Sequence, residues 1–203
     1  GVVEESLWQA VKSIKTRDAL LAEEVILGDI DTDHMEVDIE EECLKVLALH
    51  QPVATDLRFI VTILKMNNEL ERIGDLAVNI AERSQYLATH EAIDAPFDFE
   101  TMAEKTKAML HKSLDALINV DVGLAQEVLE ADEEIDAINR QMYDQVKLSL
   151  RENPQWIGGL IHLLSISRHL ERIADHTTNI AEDVIYMAEG RIIRHRAENY
   201  KEH

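Results

Sequence analysis

The sequence is poor in the residues that interrupt regular structure. Its 203 residues include seven glycines and three prolines, less than half of the roughly 12% that the two residues make up in average proteins. So few breakers leave little room for the turns of an all-β protein or the loops of an α/β protein. Because 46% of the residues are apolar, the composition indicates an ordered, all-helical protein rather than a disordered one.

Cysteines and long apolar runs are also scarce. Cys43 is the single cysteine, which excludes an internal disulfide and a thiolate zinc site. No apolar run approaches the ~20 residues of a membrane span, and no basic start leads into a signal-type segment. We therefore expect a cytoplasmic protein without direct membrane insertion.

Lysine and arginine are also few relative to the acidic residues. Lys and Arg number 20 against 40 Asp and Glu, so the net charge is −20. This balance excludes nucleic-acid binding, which needs excess Lys and Arg. The acids either serve solubility alone or attract cations and basic partners, and their positions in the fold bear on that choice.

Apolar residues recur every three or four positions, and the rare breakers divide this pattern into six predicted helices. Gly28 is predicted to end the first helix, and Asp132 is predicted to be the N-cap of the fifth. The predicted helices are 3–28, 32–50, 53–89, 98–131, 133–151 and 154–190. Residues 191–203 form a polar tail.

The two halves of the chain are repeats. Nine of thirteen residues in 70–82 recur at an offset of 100 in 170–182, and a second block repeats at an offset of 103. Short connections make neighbouring helices antiparallel. We therefore predict an all-α fold of two tandem antiparallel three-helix bundles, with units at 1–93 and 94–190.

An acidic stripe follows the third helix of each unit. Glu71, Asp75, Asn79 and Glu82 share one helix face, nearly opposite the predicted core residues. Glu171, Asp175, Asn179 and Glu182 repeat the stripe. Folding the second and third helices of each unit antiparallel places these acids level with Asp29 and Asp33, or with Asp132 and Asp136. Each unit thus gathers four or more carboxylates.

Clustered oxygen ligands with no cysteine suit hard cations such as Mg²⁺, Ca²⁺, Mn²⁺ or Fe³⁺. An interior di-iron oxidase site is disfavoured, because the Glu-x-x-His pattern fails at Gly74 and Ala174. For a single acid, an N-cap or a solvated face remains the simpler interpretation. The duplicated arrangement favours metal binding, because a solvated face has no physical reason to repeat the same acids. No nucleophile beside a base and no phosphate loop is visible, so we predict no enzymatic activity.

The segment Gln51-Pro52-Val53-Ala54-Thr55-Asp56-Leu57-Arg58-Phe59-Ile60, with the repeated Leu-Glu-Arg-Ile blocks at 70 and 170, resembles the PhoU family of phosphate-signalling proteins. The resemblance implies a cytoplasmic, often homodimeric repressor of the phosphate-starvation response. Its implied partners are a sensor histidine kinase and the ATPase of a phosphate ABC transporter. The second unit lacks a counterpart of Arg58, so a partner contact through that residue would involve only the first unit.

The resemblance also implies multinuclear iron or zinc clusters on acidic pairs and no organic cofactor; manganese, magnesium or calcium are the other candidates. The predicted metal-site residues are Asp29, Asp33, Glu71, Asp75, Asn79, Glu82, Asp132, Asp136, Glu171, Asp175, Asn179 and Glu182. Two alternatives remain: a carboxylate-rich metal-binding helical protein, or an accessory regulator of a sodium-coupled phosphate transporter.

Overall fold

A computed structural model describes residues 1–93 and 98–193 of the chain. Six α-helices and no strand occur in these ranges: α1 Val2–Thr16, α2 Ala19–His50, α3 Thr55–Thr89, α4 Phe99–Asn119, α5 Val122–Glu152 and α6 Ile157–Glu189. A 3-10 turn at Pro154–Trp156 precedes α6. The all-α prediction is confirmed. Residues 94–97, at the start of the predicted second unit, and residues 194–203 of the predicted tail lie outside the described residues.

The first helix ends earlier than predicted. α1 stops at Thr16, where Arg17 adopts a left-handed backbone with φ of 55°. Asp18 then begins α2 by accepting hydrogen bonds from the backbone N–H groups of Leu20 and Leu21, at 3.0 and 3.1 Å. Gly28 does not end a helix and lies inside α2. It is tolerated there because a lone glycine weakens a long helix by only about 1 kcal/mol.

The second unit repeats this correction. α4 ends at Asn119, Val120 takes the left-handed conformation with φ of 51°, and Asp121 is the N-cap of α5. The prediction that Asp132 is an N-cap is therefore wrong. Asp132, like Asp29, lies well within a helix, so helix capping does not account for either acid.

Each unit is an up-down-up bundle around its third helix. In the first unit Leu7, Ile73 and Ile80 are fully buried, and in the second Ile135 and Ile173 are fully buried. The apolar helix faces that predicted the helices are thus also the faces that are buried in the core. Within the described part of the chain, no helix is apolar over a stretch long enough to span a bilayer.

The two units share one core, because α3 and α6 pack against each other in antiparallel orientation. Nζ of Lys65 on α3 lies 3.3 Å from Oδ1 of Asp183 on α6. The ring of Tyr86 on α3 stacks on that of His162 on α6, with 3.8 Å between the ring centroids. The buried apolar cluster contains residues from all six helices. The repeat predicted the units but not this packing between them.

The start of α6 lies very close to the end of α3. A Cβ atom on Gly158 would lie 2.7 Å from the Tyr86 hydroxyl, and one on Gly159 would lie 2.8 Å from Ile93 Cδ1. Real side chains do not reach such distances without a shift of the neighbour. These two glycines therefore permit the close approach that joins the units.

Candidate functional site

The first carboxylate cluster is formed by Asp29 and Asp33 on α2 with Glu71 and Asp75 on α3. Burial raises the pKa of Asp29, and the charges of Asp33 and Asp75 raise it further. Burial also raises the pKa of Glu71, with added repulsion from Asp75, Glu36 and Asp33. These mutual effects place the four acids of the two helices within electrostatic reach of one another.

A glycine sets the close spacing of α2 and α3 at the first cluster. A Cβ atom on Gly74 would lie 3.3 Å from Thr32 Cγ2 and 3.4 Å from Asp29 Oδ1. Gly74 is buried, and it directly precedes Asp75 in α3. The absent side chain thus lets the Asp29 carboxylate rest against the backbone of α3.

The second carboxylate cluster is formed by Asp132 and Asp136 on α5 with Glu171 and Asp175 on α6. Burial raises the pKa of Asp132 to about 6, with further contributions from Asp175 and Asp136. The pKa values of Glu171 and Asp175 are raised as well, first by burial and then by neighbouring acids. The second cluster therefore repeats the first in residue types and in placement.

Nearby cations offset little of this repulsion. The Asp136 carboxylate has Arg140 at 3.8 Å, a long ion pair in which both side chains are largely exposed. Arg72 lowers the pKa of Glu71, but its effect is outweighed by the acids. Carboxylates that are held side by side without a compensating charge are stabilised when a cation binds among them.

The donor set fits a hard metal ion chemically. All eight side chains offer carboxylate oxygens, which Mg²⁺, Ca²⁺, Mn²⁺ and Fe³⁺ prefer. As the side chains stand, no group of three or more His, Cys, Asp or Glu residues within 1–93 and 98–193 is already arranged to hold a metal ion. Metal binding at either cluster would therefore require rotamer changes that bring the carboxylates together.

The four remaining predicted metal-site residues have contacts of other kinds. Asn79 donates to the backbone carbonyl of Asp75 at 2.7 Å, and Glu82 accepts from Arg83 at 3.0 Å. Asn179 donates to Glu69 Oε2 of α3 at 3.0 Å. Glu182 is half-buried on α6. The structure thus places Asn179 at the contact between the units, whereas the eight carboxylates of the acidic pairs form the clusters.

The predicted site residues do not include Glu36, Glu69 or His176. Glu36 follows Asp33 by one helical turn, a spacing that could have included it in the first cluster. Nδ1 of His176 donates to Glu69 Oε2 at 2.7 Å across the α3–α6 contact. Residues 76 and 169, their equivalents in the other unit, are leucine and histidine, so the repeat gave no signal for this pair.

The fold and the two clusters define a class: a duplicated three-helix protein that presents one carboxylate cluster per repeat. Comparison with known proteins agrees with the duplicated fold. The family model for the PhoU domain matches residues 1–84 and again 99–184. The chain belongs to the PhoU family.

Relatives and solved structures extend the match to nearly the whole chain. A phosphate-specific transport system accessory protein PhoU homolog of Aquifex aeolicus is 40% identical over 96% of this chain and 88% of its own length. The PhoU accessory protein of Serratia marcescens is 33% identical over 96% and 80%.

Among solved structures, PhoU from Pseudomonas aeruginosa superposes with a TM-score of 0.90 and 34% identity, covering 94% of this chain and 92% of that one. The phosphate transport system regulatory protein PhoU from Streptococcus pneumoniae gives a TM-score of 0.86 at 28% identity, over 94% and 90%.

Proposed function

We propose that this protein is an accessory regulator of phosphate transport that represses the phosphate-starvation response when phosphate is plentiful. It would act between a phosphate ABC transporter and a sensor histidine kinase. The proposal assigns the protein no catalytic step. Its support is membership of the PhoU family over both repeats, together with relatives named as accessory proteins of phosphate-specific transport.

The observation that carries the mechanism is the pair of carboxylate clusters. Burial, and then repulsion between the acids of each cluster, raises the pKa values of Asp29, Asp132 and Glu171. Binding of a cation or of a basic partner surface at either cluster would therefore lower the free energy. Metal ions held by Asp29, Asp33, Glu71 and Asp75, and by Asp132, Asp136, Glu171 and Asp175, would neutralise these faces and offer coordination positions to a partner. We propose iron, zinc or manganese as the ions.

A gene deletion tests the regulatory role. Alkaline phosphatase is measured in high phosphate in the deletion strain, and we expect constitutive activity that wild-type protein represses again. Asp132→Asn combined with Asp175→Asn should fail to restore repression. Glu133→Gln, which removes a neighbouring exposed acid, should restore it. Normal repression in the deletion strain would contradict the role.

A titration separates metal binding from regulation. Chelator-treated protein is titrated with Fe³⁺, Zn²⁺ and Mn²⁺, and bound metal is measured by elemental analysis. We expect two binding regions, of which Asp132→Asn with Asp175→Asn removes one and Asp29→Asn with Asp75→Asn removes the other. Protein that takes up no metal would refute the metal proposal while leaving the deletion result intact.

A homodimer is part of the same proposal, because apolar side chains remain exposed on the long helices, among them Leu27, Ile30 and Ile161. Light scattering on the purified chain measures the assembly state directly. A monomer at all concentrations would contradict this part.

A further inference from the structure

A groove of about 670 Å³ lies between α5 and α6, next to the second carboxylate cluster and on its side toward the α5–α6 turn. We call it the arginine groove. It is lined by two arginines, two hydroxyl side chains and two aliphatic side chains: Arg140, Arg168, Tyr143, Ser165, Ile161 and Leu164. Asp144 and Glu171 line it too, so the groove places two arginines and two carboxylates beside an apolar wall.

The register of α5 and α6 places the two arginines opposite each other. Asp132 on α5 faces Asp175 on α6, and Asp136 faces Glu171, as the repulsion between these carboxylates indicates. One helical turn beyond Asp136 on α5 is Arg140. One turn before Glu171 on α6 is Arg168. Because α5 and α6 are antiparallel, both arginines lie one turn from the acids in the same direction, toward the α5–α6 turn. This placement agrees with both of them lining the groove.

The guanidinium groups have few competing partners. Arg140 Nη1 lies 3.8 Å from Asp136 Oδ2. Arg168 attracts the Glu171 carboxylate electrostatically, without a close ion pair among the described residues. Asp144 also lines the groove, but its carboxylate is paired with Lys147 at 3.4 Å. Glu171, a member of the second cluster, lines the groove as well. Most donors of the two arginines are therefore available to a ligand.

We propose that the arginine groove binds a phosphate monoester whose organic group carries an aromatic ring. Each guanidinium fork can bind two oxygens at once, and a phosphate monoester offers such a pair of forks three terminal oxygens and up to two negative charges. Tyr143, Ile161 and Leu164 supply a surface for the organic group. The volume falls in the range of small-molecule sites, about 300–1,000 Å³.

The first unit lacks this site. The positions equivalent to Arg140 and Arg168 are Val37 and Asn68, and Tyr143 corresponds to Glu40. The proposal therefore implies one ligand per chain although the carboxylate clusters are duplicated.

Isothermal titration calorimetry with adenosine monophosphate tests the proposal on the full chain. A chelator in the buffer makes the result independent of metal binding at the clusters. We expect saturable binding of one adenosine monophosphate per chain. Inorganic phosphate and adenosine, which each lack one half of the ligand, should bind at least about tenfold more weakly.

Variants assign the binding to the groove. Arg140→Gln and Arg168→Gln should each weaken adenosine monophosphate binding about tenfold, because each removes charge-assisted hydrogen bonds. Arg151→Gln, an exposed arginine of α5 outside the groove, should leave the affinity unchanged. Both groove arginines are exposed, so thermal unfolding should show intact folding.

Three results would each overturn the proposal: no saturable heat with adenosine monophosphate, equal affinity for inorganic phosphate, or full affinity in Arg168→Gln. None of them bears on the alkaline phosphatase test of the proposed function.

Discussion

The two units have the same helices and the same paired acids, yet the surroundings of those acids differ. In the first unit the acidic face continues into Val37 and Asn68, whereas in the second it continues into Arg140 and Arg168. The duplicated motif is therefore a shared scaffold, and the residues one turn away give each cluster its own environment.

The contact between the units is asymmetric in the same way. Glu69 on α3 accepts hydrogen bonds from His176 and Asn179 on α6. The equivalent of Glu69 in the second unit is His169, whose ring lies 3.2 Å from Ser165 and whose Nδ1 is buried with no hydrogen-bond partner among the described residues. Burial and then the positive charges of Arg83, Arg172 and Arg168 lower the pKa of His169 to about 4. One side of the contact thus holds a hydrogen-bonded carboxylate, and the other holds a neutral imidazole.

The largest effect is expected in the shared core, where the two units should respond alike. Ile73→Ala and Ile173→Ala each empty a fully buried position. Each should lower the free energy of unfolding by about 2–5 kcal/mol, because transfer energy is lost and a cavity is left. Urea unfolding followed by circular dichroism measures both losses.

Tryptophan fluorescence tests whether that core makes the units unfold together. Trp8 lies on α1 and Trp156 precedes α6, so Trp8→Phe and Trp156→Phe leave one reporter in each unit. We expect the two reporters to give the same midpoint in the Ile73→Ala background. Midpoints that separate would show that the units unfold independently.

The next effect concerns Glu69. Burial acts to raise the pKa of Glu69, but hydrogen bonds from His176 and Asn179 outweigh it and hold the pKa below its ordinary value. Such a group stabilises the fold above the pKa of the unfolded state, and this contribution is lost as pH falls through the folded pKa. Glu69→Gln should therefore lower stability by about 2 kcal/mol at pH 7.

The difference between wild type and Glu69→Gln should shrink as pH falls through the lowered pKa of Glu69, because the wild-type carboxyl is then protonated as well. Thermal unfolding across pH 3 to 8 measures the trend. Gln85→Glu adds a titratable carboxylate elsewhere on α3 and serves as the control for an acid that lacks the partners of Glu69. A pH-independent loss would mean that the carboxylate charge of Glu69 contributes nothing.

A smaller effect distinguishes the two clusters. Because the pKa of Asp132 is raised to about 6, the folded state holds that proton more tightly than the unfolded state, and stability falls as pH rises through this range. In chelated protein, Asp132→Asn should raise stability at pH 7.5 by about 1 kcal/mol, since solvent screens part of the repulsion. The gain should vanish near pH 3.5.

Asp29→Asn is the matched change in the first unit. The pKa of Asp29 is raised too, by burial and by Asp33 and Asp75, so we expect a gain of the same sign but smaller. Differential scanning calorimetry compares the variants with Glu133→Gln, which should change nothing. Destabilisation by Asp132→Asn in chelated protein would contradict the idea of uncompensated repulsion.

The smallest expected effect compares the N-caps. Asp18 accepts from two backbone N–H groups, whereas Asp121 accepts from Leu124 alone. Loss of an N-cap costs about 0.5–2 kcal/mol, and both caps are exposed, so we expect values at the low end. Asp18→Ala should destabilise slightly more than Asp121→Ala in urea unfolding, and the reverse order would contradict the counted hydrogen bonds.

These N-caps also show where sequence reasoning failed. The residues that end α1 and α4 in the left-handed conformation are Arg17 and Val120, whereas a glycine is the usual signal for such an end. Gly28 therefore predicts a helix end that does not occur. The recurrence of Asp18 as Asp121 in the repeat is the sequence signal that matches the observed N-caps.

The fold class, the six helices and the convergence of the eight carboxylates could be predicted, because apolar spacing and antiparallel pairing of adjacent helices are local rules. The α3–α6 contact could not. Its polar partners, Glu69 with His176 and Lys65 with Asp183, differ from their counterparts in the other half, so the internal repeat carried no information about them.

The continuous core around α3 and α6 has a geometric consequence. Each of these helices carries half of one carboxylate cluster, and their packing against each other connects the clusters through buried side chains. The distance between the two clusters is therefore set by side-chain packing rather than by a hinge. A rigid partner that touches both clusters must match that distance, so the protein can select partners by length as well as by charge.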